Sequence, residues 1–191
     1  MKKILHVTSS PRGEASNSNK LGNKIVEKIQ SRYPGSTVTV NNVVETKYAH
    51  IEAELLGAFM GMGDPSVGRH SDAAVEQVEQ ADIIVISVPL YNFSIPSALK
   101  AWIDHIVRAG KTFSYATGKP EGLLKGKKVY LAIASKGVYS NGPMKSFDFS
   151  EPYLRFILGF IGITDVTTFR IEGDGMVENA VENGLAGVEI L

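Results

Sequence analysis

The sequence contains no cysteine among its 191 residues. This absence excludes disulfide bonds, thiolate metal sites, iron–sulfur clusters, thiol nucleophiles and CxxC redox motifs. Any redox chemistry of this protein must therefore reside in a bound cofactor.

The sequence also lacks an excess of charge of either sign, since 20 basic residues balance 20 acidic ones. Nucleic-acid-binding proteins gain much of their affinity by neutralising phosphates, so a net charge of zero argues against that class. The charge is unevenly distributed, however. Residues 100–136 contain eight basic and two acidic residues, whereas residues 171–191 contain five acidic residues and no basic one. The simplest interpretation of both stretches is solvated surface.

Long hydrophobic segments are absent as well. The longest apolar runs, residues 83–90 and 156–163, are much shorter than the roughly 18 residues of a membrane-spanning helix. The apolar stretch at residues 4–7 is too short for the hydrophobic core of a signal peptide. We therefore expect a cytoplasmic protein without membrane or nucleic-acid partners.

Segments typical of strands and of helices alternate along the chain. Apolar or β-branched runs predict five strands, at residues 3–8, 36–43, 82–88, 128–135 and 165–171. Helical spacing of apolar residues predicts helices at residues 17–32, in two pieces within 50–80 around a break at 60–65, from Pro96 to Gly110, at 153–163 and at 178–190.

This alternation is the pattern of an α/β domain with a parallel sheet. We expect a single domain, residues 1–191, with a flavodoxin-like fold: a five-stranded parallel sheet in the order 2-1-3-4-5, with helices on both faces. Five strands favour this order over a six-stranded dinucleotide-binding fold. Ligands of such sheets bind outside the carboxyl ends of the strands, so the loops after the first, third and fourth strands are the candidate site.

The loop after the first strand, residues 9–18, leads into a helix N-terminus, which favours binding of an anion such as a phosphate. Side chains of Ser10, Ser16, Asn17 and Ser18 could donate hydrogen bonds there without adding charge. The loop has one glycine, Gly13, and neither a GxGxxG nor a Walker motif. A helix cap without a ligand is an equally good interpretation of this loop taken alone.

The other two loops have compositions suited to a flat ligand. Residues 89–96 place Tyr91 and Phe93 around Asn92, and such aromatic groups stack on planar rings, although they could also pack back on the core. In residues 135–143, Gly137 and Gly142 permit close approach of the backbone or positive φ angles. The three loops together are more specific than any one of them.

The sequence resembles the FMN-dependent NADH:quinone oxidoreductases, also called azoreductases. The resemblance covers residues 1–170 and rests on five motifs in family order: Ser9-Ser10 with Ser16-Asn17-Ser18, Pro89-Leu90-Tyr91-Asn92-Phe93, Ala109-Gly110-Lys111-Thr112-Phe113, Pro120-Glu121-Gly122-Leu123, and Leu158-Gly159-Phe160-Ile161-Gly162-Ile163-Thr164-Asp165-Val166. The second and fifth motifs are the most specific.

The resemblance implies a set of cofactor-binding and substrate-binding residues. By this resemblance, the FMN phosphate would be held by Ser10, Ser16, Asn17 and Ser18. The isoalloxazine ring would lie against Leu90, Tyr91, Asn92 and Phe93. The edge of the ring would be contacted by Ser135, Lys136, Gly137 and Val138. The resemblance further implies a substrate slot lined by Phe113, Tyr115 and Phe160, which could equally be ordinary core residues. The family usually has a Gly-Gly pair where this chain has Lys136-Gly137-Val138, and residues 50–70 are the least family-like region.

The resemblance also implies the reaction. NADH would pass a hydride to FMN and leave, after which a quinone or an aromatic azo compound would accept the reducing equivalents in its place. No catalytic side chain is implied, because the hydride chemistry takes place on FMN. Family members are usually homodimers with the active site at the subunit interface, so we expect a homodimer.

Two alternatives to an enzyme remain open. One is a flavodoxin-type FMN electron carrier, against which the neutral charge and basic middle region argue. The other is a phosphate-binding regulatory or hydrolytic domain, for which the strand ends lack a cluster of acidic residues.

The four histidines show no metal-binding spacing, so we predict no metal site. We expect His6 to lie in a core strand and His105 to lie on the polar side of the helix that follows Pro96, and we expect each ring to be either hydrogen-bonded within the protein or solvated.

Overall fold

The computed structural model describes residues 1–190. Its strands are β1 Lys3–Thr8, β2 Thr37–Asn42, β3 Ile83–Pro89, β4 Phe113–Ser114, β5 Glu121–Gly122, β6 Lys128–Ser135 and β7 Asp165–Glu172. Its α-helices are α1 Asn17–Arg32, α2 Val43–Thr46, α3 Ala53–Phe59, α4 Arg69–Gln80, α5 Ser97–Ile106, α6 Ser150–Phe160 and α7 Ala180–Ala186. Short 3₁₀ helices cover Gly13–Ala15, Pro65–Gly68 and Lys145–Phe147.

Five strands form one parallel sheet in the order β2-β1-β3-β6-β7. Because β4 and β5 form a separate antiparallel pair, this is the predicted order 2-1-3-4-5 of the main sheet, which is confirmed. The β4–β5 pair was not predicted, since two residues per strand are too few to produce a recognisable alternation.

Side chains of successive strand residues enter two separate hydrophobic clusters, because they point to opposite sides of the sheet. Leu5 and Ile84 belong to the cluster that includes residues of α4, α5 and α6. Ile4 and Ile83 belong to the cluster that includes residues of α1, and Val181 and Leu185 of α7 pack against it. All seven residues of the central strand β3 are buried, as expected for an inner strand of a parallel sheet.

Several helix boundaries differ from the predicted ones for local reasons. Helix α5 ends at Ile106 rather than at Gly110, because the Thr112 hydroxyl donates to the Ile106 carbonyl at 2.7 Å and replaces the next helical bond. Helix α6 begins at Ser150, three residues early, where the Asp148 carboxylate accepts from the Ser150 amide at 2.8 Å. Side-chain hydrogen bonds to the backbone of this kind are not visible in apolar periodicity.

The ring of His105 is hydrogen-bonded within the protein rather than solvated, which is one of the two outcomes expected for it. Its side chain is buried, with 2% exposed, and Nε2 lies 2.9 Å from the Ala49 carbonyl oxygen. The rings of Tyr48 and Phe59 pack against it, because the segment before and within α3 folds over the polar side of α5. His6 is buried in β1 as expected, with Nε2 2.9 Å from Ser87 Oγ.

Within residues 1–190, no helix combines the length and the apolar character needed to cross a membrane. The parallel sheet brings the loops after β1, β3, β6 and β7 to one edge, and the candidate site lies there.

Candidate functional site

A cleft of about 360 Å³ lies at the carboxyl ends of the sheet strands. Its lining consists of Arg12, Ser16, Asn17, Pro89, Leu90, Tyr91, Asn92, Phe93, Ala134, Ser135, Lys136, Gly137, Tyr139 and Asp174. Nine of the predicted cofactor-binding residues are thus brought together. Ser10, Ser18 and Val138 belong to the same loops but do not line the cleft.

The first wall of the cleft is the N-terminus of α1. Ser16 is the N-cap residue, yet its side chain makes no capping bond to the helix; its hydroxyl pairs with that of Ser18 at 2.9 Å, and both residues are buried. The first turn of α1 therefore presents amides that no side chain caps, which is the arrangement that binds phosphates. Arg12 adds a positive charge beside it.

The first loop is held to the sheet by its own hydroxyls and amides. Ser9 Oγ donates to the Ser87 carbonyl at 2.7 Å, and Ser10 Oγ accepts from the Arg12 amide at 3.3 Å. The Asn19 side chain donates to the Gly13 carbonyl at 2.9 Å. These bonds within the protein restrain the loop, and a restrained loop loses less entropy when it binds a ligand.

The second wall is a tight turn after β3. The backbones of Tyr91 and Ser94 exchange two hydrogen bonds of 3.0 Å each, and the two residues between them, Asn92 and Phe93, have φ angles of 49° and 67°. This is the pattern of a type I′ turn, in which Asn is well suited but Phe is a costly choice. Strained residues of this kind cluster at binding sites.

Aromatic rings form a rim beside this turn. The Phe93 ring lies 6.2 Å from that of Tyr139 and 5.8 Å from that of Phe147, measured between centroids. The amide of Phe149 donates to the Phe93 carbonyl at 3.0 Å. A flat ligand in the cleft would therefore meet aromatic surface on this side.

The third wall joins the loop after β6 to the end of β7. Ser135 Oγ donates to the Gly137 carbonyl at 2.8 Å, and the Tyr139 amide donates to Glu172 at 2.8 Å. A Cβ atom at Gly137 would lie 2.8 Å from Cε2 of Tyr139, so a larger residue here would displace the Tyr139 ring.

Five cleft residues were not among the predicted cofactor-binding residues, and three of these five have polar side chains. Arg12 and Tyr139 lie in loops that were recognised, but nothing marked these two side chains as facing the ligand. Asp174 lies in the acidic C-terminal region and accepts a hydrogen bond from the Asn17 amide group at 2.9 Å. The only feature of the sequence that could have indicated Asp174 as a site residue is its position between Gly173 and Gly175. These residues follow the last strand, at the edge where the other loops meet.

A second, larger cleft of about 740 Å³ lies on the other side of the same turn and shares Tyr91 and Asn92 with the first. Its lining includes apolar groups of Pro11, Val44 and Ile95. Tyr153 lies at its wall, where burial, together with the nearby Asp104, raises the pKa of the phenol to about 12. That hydroxyl is therefore neutral near pH 7 and can donate a hydrogen bond.

The predicted substrate-slot residues lie elsewhere. The Phe113 ring packs against Tyr115 and Phe160 at centroid distances of 5.5 and 4.7 Å. None of the three lines either cleft, although Tyr115 is 59% exposed. Within one chain, these residues form a separate aromatic cluster on the β4–β5 hairpin and the end of α6.

Most basic residues of the 100–136 region are paired with acidic ones. The salt bridges are Lys100–Asp104, Arg108–Asp72, Lys111–Asp72, Lys125–Glu121 and Lys128–Asp165. Lys136 is the member of this region that lines the first cleft. No group of three or more acidic or histidine side chains within residues 1–190 is arranged to hold a metal ion.

The sequence model of a family described as having a flavodoxin-like fold matches residues 2–189. The FMN-dependent NADH:quinone oxidoreductase of Mesorhizobium japonicum is 41% identical over 189 residues, covering 96% of this chain and 90% of that protein. The protein of the same name from Herminiimonas arsenicoxydans is 43% identical over 192 residues, covering 97% and 94%.

This chain belongs to the FMN-dependent NADH:quinone oxidoreductase family.

Solved structures agree with this membership. The azoreductase from Bacillus anthracis strain Sterne superposes with a TM-score of 0.88 at 29% identity, covering 97% of this chain and 96% of that one. An FMN-dependent NADH-azoreductase from the Ames Ancestor strain, in complex with FMN, has a TM-score of 0.87 at 27% identity, covering 96% and 94%. The flavodoxin-like α/β fold expected from the sequence is therefore confirmed for this member of the family.

Proposed function

We propose that this chain, acting as one cytoplasmic domain over residues 1–191 with helices on both faces of its sheet, is an FMN-dependent NADH:quinone oxidoreductase that also cleaves aromatic azo compounds reductively. The observation that carries the proposal is the first cleft, where an uncapped helix N-terminus and a strained aromatic turn meet at one sheet edge. A phosphate and a planar ring are the two ends of FMN.

The phosphate end fits the first loop. In the proposal, the hydroxyls of Ser10, Ser16 and Ser18, the Asn17 side chain and the amides of α1 hold the FMN phosphate. The Ser16 and Ser18 hydroxyls pair only with each other, and each can rotate to donate to an anion. Arg12 strengthens the site by its charge, since an ionised donor forms the stronger hydrogen bond to a phosphate.

The ring end fits the second and third loops. Leu90, Tyr91, Asn92 and Phe93 would form the wall against the isoalloxazine ring, with Ser135, Lys136, Gly137 and Val138 at its edge. When bound, FMN supplies the redox chemistry by accepting a hydride from NADH and transferring the reducing equivalents to a quinone or an azo bond. Lys136 and the backbone amides of these loops would stabilise negative charge on the reduced ring.

The acceptor is proposed to enter through the second cleft. This cleft adjoins the first across Tyr91 and Asn92 and offers apolar surface together with the neutral Tyr153 hydroxyl. Such a mixture of apolar walls and one hydrogen-bond donor suits a flat, weakly polar molecule.

We propose that the active unit is a homodimer. Tyr115, which is 59% exposed, lines neither cleft of its own chain. In a dimer, the aromatic cluster of Phe113, Tyr115 and Phe160 from one subunit would face the cleft of the other. Sedimentation of the wild-type chain and of Tyr115→Ser tests this; a wild-type monomer with full activity contradicts it.

One experiment tests the enzymatic function. The purified protein is incubated with FMN, freed of unbound FMN and mixed with NADH in the absence of oxygen, with and without a quinone or an azo dye. We expect a yellow protein that is bleached by NADH and reoxidised by either acceptor. Failure to retain FMN contradicts every flavin function. Bound FMN that NADH does not reduce identifies the flavodoxin-type electron carrier instead.

A further inference from the structure

A buried ion-pair cluster lies behind the third wall of the cleft. The guanidinium of Arg170 on β7 forms salt bridges to Asp148, Glu151 and Glu172, and its side chain is 13% exposed. Burial opposes ionisation of Glu151, but hydrogen bonds, chiefly from Arg170, outweigh it and hold the pKa of this carboxyl below its usual value. Glu151 is therefore ionised at neutral pH.

Such a cluster is not explained by stability alone. Removing charges from water is costly, and hydrophobic residues of similar volume are often as stabilising as a buried ion pair. We therefore expect the role of the ion-pair cluster to lie in the other groups that its carboxylates bind besides Arg170.

Two chains of contacts, which we call the two arms, connect the cluster to the cleft; one runs through Glu172 and the other through Asp148. On one arm, Glu172 Oε1 accepts from Arg170 at 3.1 Å and from the Tyr139 amide at 2.8 Å. On the other, Asp148 Oδ1 accepts from the Ser150 amide at 2.8 Å and fixes the start of α6. The residue between them, Phe149, donates its amide to the Phe93 carbonyl at 3.0 Å.

Both arms meet at Phe93. The Tyr139 ring packs on the Phe93 ring, and the Phe149 amide holds the Phe93 carbonyl. Phe93 has a φ of 67°, which a bulky residue keeps only when several surrounding contacts hold it there. The two arms provide such contacts.

We propose that Arg170 is a positioning residue for the cofactor cleft, which acts through Glu172 and Asp148 to hold Phe93 in its left-handed conformation. The proposal rests on the proposed function, since it assumes that the cleft binds FMN. Arg170 does not line the cleft, so its influence is indirect and travels through the two backbone segments that it anchors.

Arg170→Lys tests the proposal, because lysine keeps the charge but cannot bind several carboxylates with separate nitrogens. The matched control is Arg155→Lys on α6. Arg155 also binds Glu151, at 2.7 Å, but its other bonds go to the Val166 carbonyl and Thr168, away from both arms. We expect Arg170→Lys to raise the Kd for FMN roughly fivefold to tenfold, as for one lost hydrogen bond, and to reduce the visible circular dichroism of bound FMN. Arg155→Lys should change neither.

A double-mutant cycle separates positioning from general destabilisation. Phe93→Gly removes the side chain that makes φ of 67° costly. If Arg170 acts by holding Phe93, then Arg170→Lys should weaken FMN binding less in the Phe93→Gly background than in the wild type. Equal effects in the two backgrounds, or equal effects of the two Arg→Lys variants, overturn the proposal.

A measurement without FMN keeps the test independent of the proposed function. Amide hydrogen exchange of the free protein should accelerate across residues 139–149 in Arg170→Lys and stay unchanged there in Arg155→Lys. If the wild-type protein does not bind FMN but this difference is seen, the proposed function fails and the anchoring role of Arg170 stands. Unchanged exchange in Arg170→Lys contradicts the anchoring role even when FMN binds.

Discussion

Two clefts of the same volume, about 360 Å³ each, lie at opposite edges of the sheet. Both contain basic and acidic side chains. The carboxyl-edge cleft includes Arg12, Lys136 and Asp174, and the amino-edge cleft includes Lys2, Asp82, Lys127, Lys128 and Asp165. Volume and composition do not distinguish the two edges.

The difference lies in what the charged groups bind. At the amino edge, Lys127 Nζ donates to the Glu79 and Ala81 carbonyls at 2.7 Å each, and Lys128 forms a 2.6 Å salt bridge with Asp165. At the carboxyl edge, neither Arg12 nor Lys136 forms a salt bridge within the part of the chain that the structure describes. Cations that the protein itself does not pair are the ones available to an anionic ligand.

Backbone geometry separates the two edges further. The carboxyl edge has the strained Asn92–Phe93 turn and a helix N-terminus without a side-chain cap. At the amino edge, the Lys127 side chain satisfies carbonyl groups at the end of α4. The amino edge satisfies more of its own polar groups than the carboxyl edge does, and this difference supports the proposed ligand site at the carboxyl edge.

The largest expected effect is a change in the free energy of unfolding with pH, and it arises in the sheet that both clefts share. Burial lowers the pKa of His6 from 6.5 to about 4, so the folded protein resists protonation that the unfolded chain accepts. The stability contributed by neutral His6 is complete above pH 6.5 and is lost as the pH falls to about 4, by about 3 kcal/mol. Urea unfolding at pH 7 and pH 4 measures this loss.

His6→Gln should abolish this part of the pH dependence, whereas His50→Gln, at an exposed position, should retain it. An identical pH dependence in His6→Gln and the wild type would show that another group is responsible.

The next largest effect is expected at the strained turn of the carboxyl edge. Asn92→Ala removes the side-chain amide and the residue type that tolerates a φ of 49°, so the Kd for FMN should rise about tenfold or more. Equilibrium titration of FMN fluorescence measures it. Asn92→Gly keeps the backbone geometry, so its Kd for FMN should rise only by the amount that is due to the lost side-chain amide.

The exposed variant Ser31→Ala, at the end of α1 far from the cleft, serves as the control for this series. If Asn92→Ala binds FMN as tightly as Ser31→Ala, the turn does not hold the ring and the two edges differ less than proposed.

A smaller effect is expected from the two cations of the carboxyl edge. Arg12→Gln and Lys136→Gln should each raise the Kd for FMN about fivefold, as expected for one charge pair near the surface, and should weaken its dependence on salt. Lys127→Gln makes the same change at the amino edge and should leave FMN binding unaltered. Riboflavin, which lacks the phosphate, should be insensitive to Arg12→Gln; equal losses for FMN and riboflavin would place Arg12 away from the phosphate.

The smallest effect is expected from the amino-edge salt bridge. The side chains of Lys128 and Asp165 are 29% and 64% exposed, so Lys128→Gln should lower the free energy of unfolding by less than about 1 kcal/mol. FMN affinity should stay at the wild-type value. A change in FMN affinity would mean that the two edges are coupled through β6.

The fold could be predicted because its signals are local. The continuous apolar run of β3 and the 3.6-residue spacing in α1 are properties of neighbouring residues. The three loops of the cleft followed from the strand order, since parallel strands bring their carboxyl ends to one edge.

The rest of the site depends on contacts between distant residues. Asp174 and Asn17 are 157 positions apart, and no periodicity relates them. Whether His105 is solvated or buried is decided in the same way: its own helix predicts a polar side, and only the packing of residues 48–59 buries it. Phe113, Tyr115 and Phe160 do come together, but the single chain does not bring them to a cleft.

The sequence by itself determined the strand order, the absence of thiol chemistry and the three loops that meet at one edge, because each follows from residue type and spacing along the chain. The tertiary structure alone decided which charges are paired within the protein and which remain for a ligand. It also decided that Phe93 adopts a left-handed conformation, which we propose is held by Arg170. These outcomes depend on distances between residues far apart in the chain, which only the folded backbone sets.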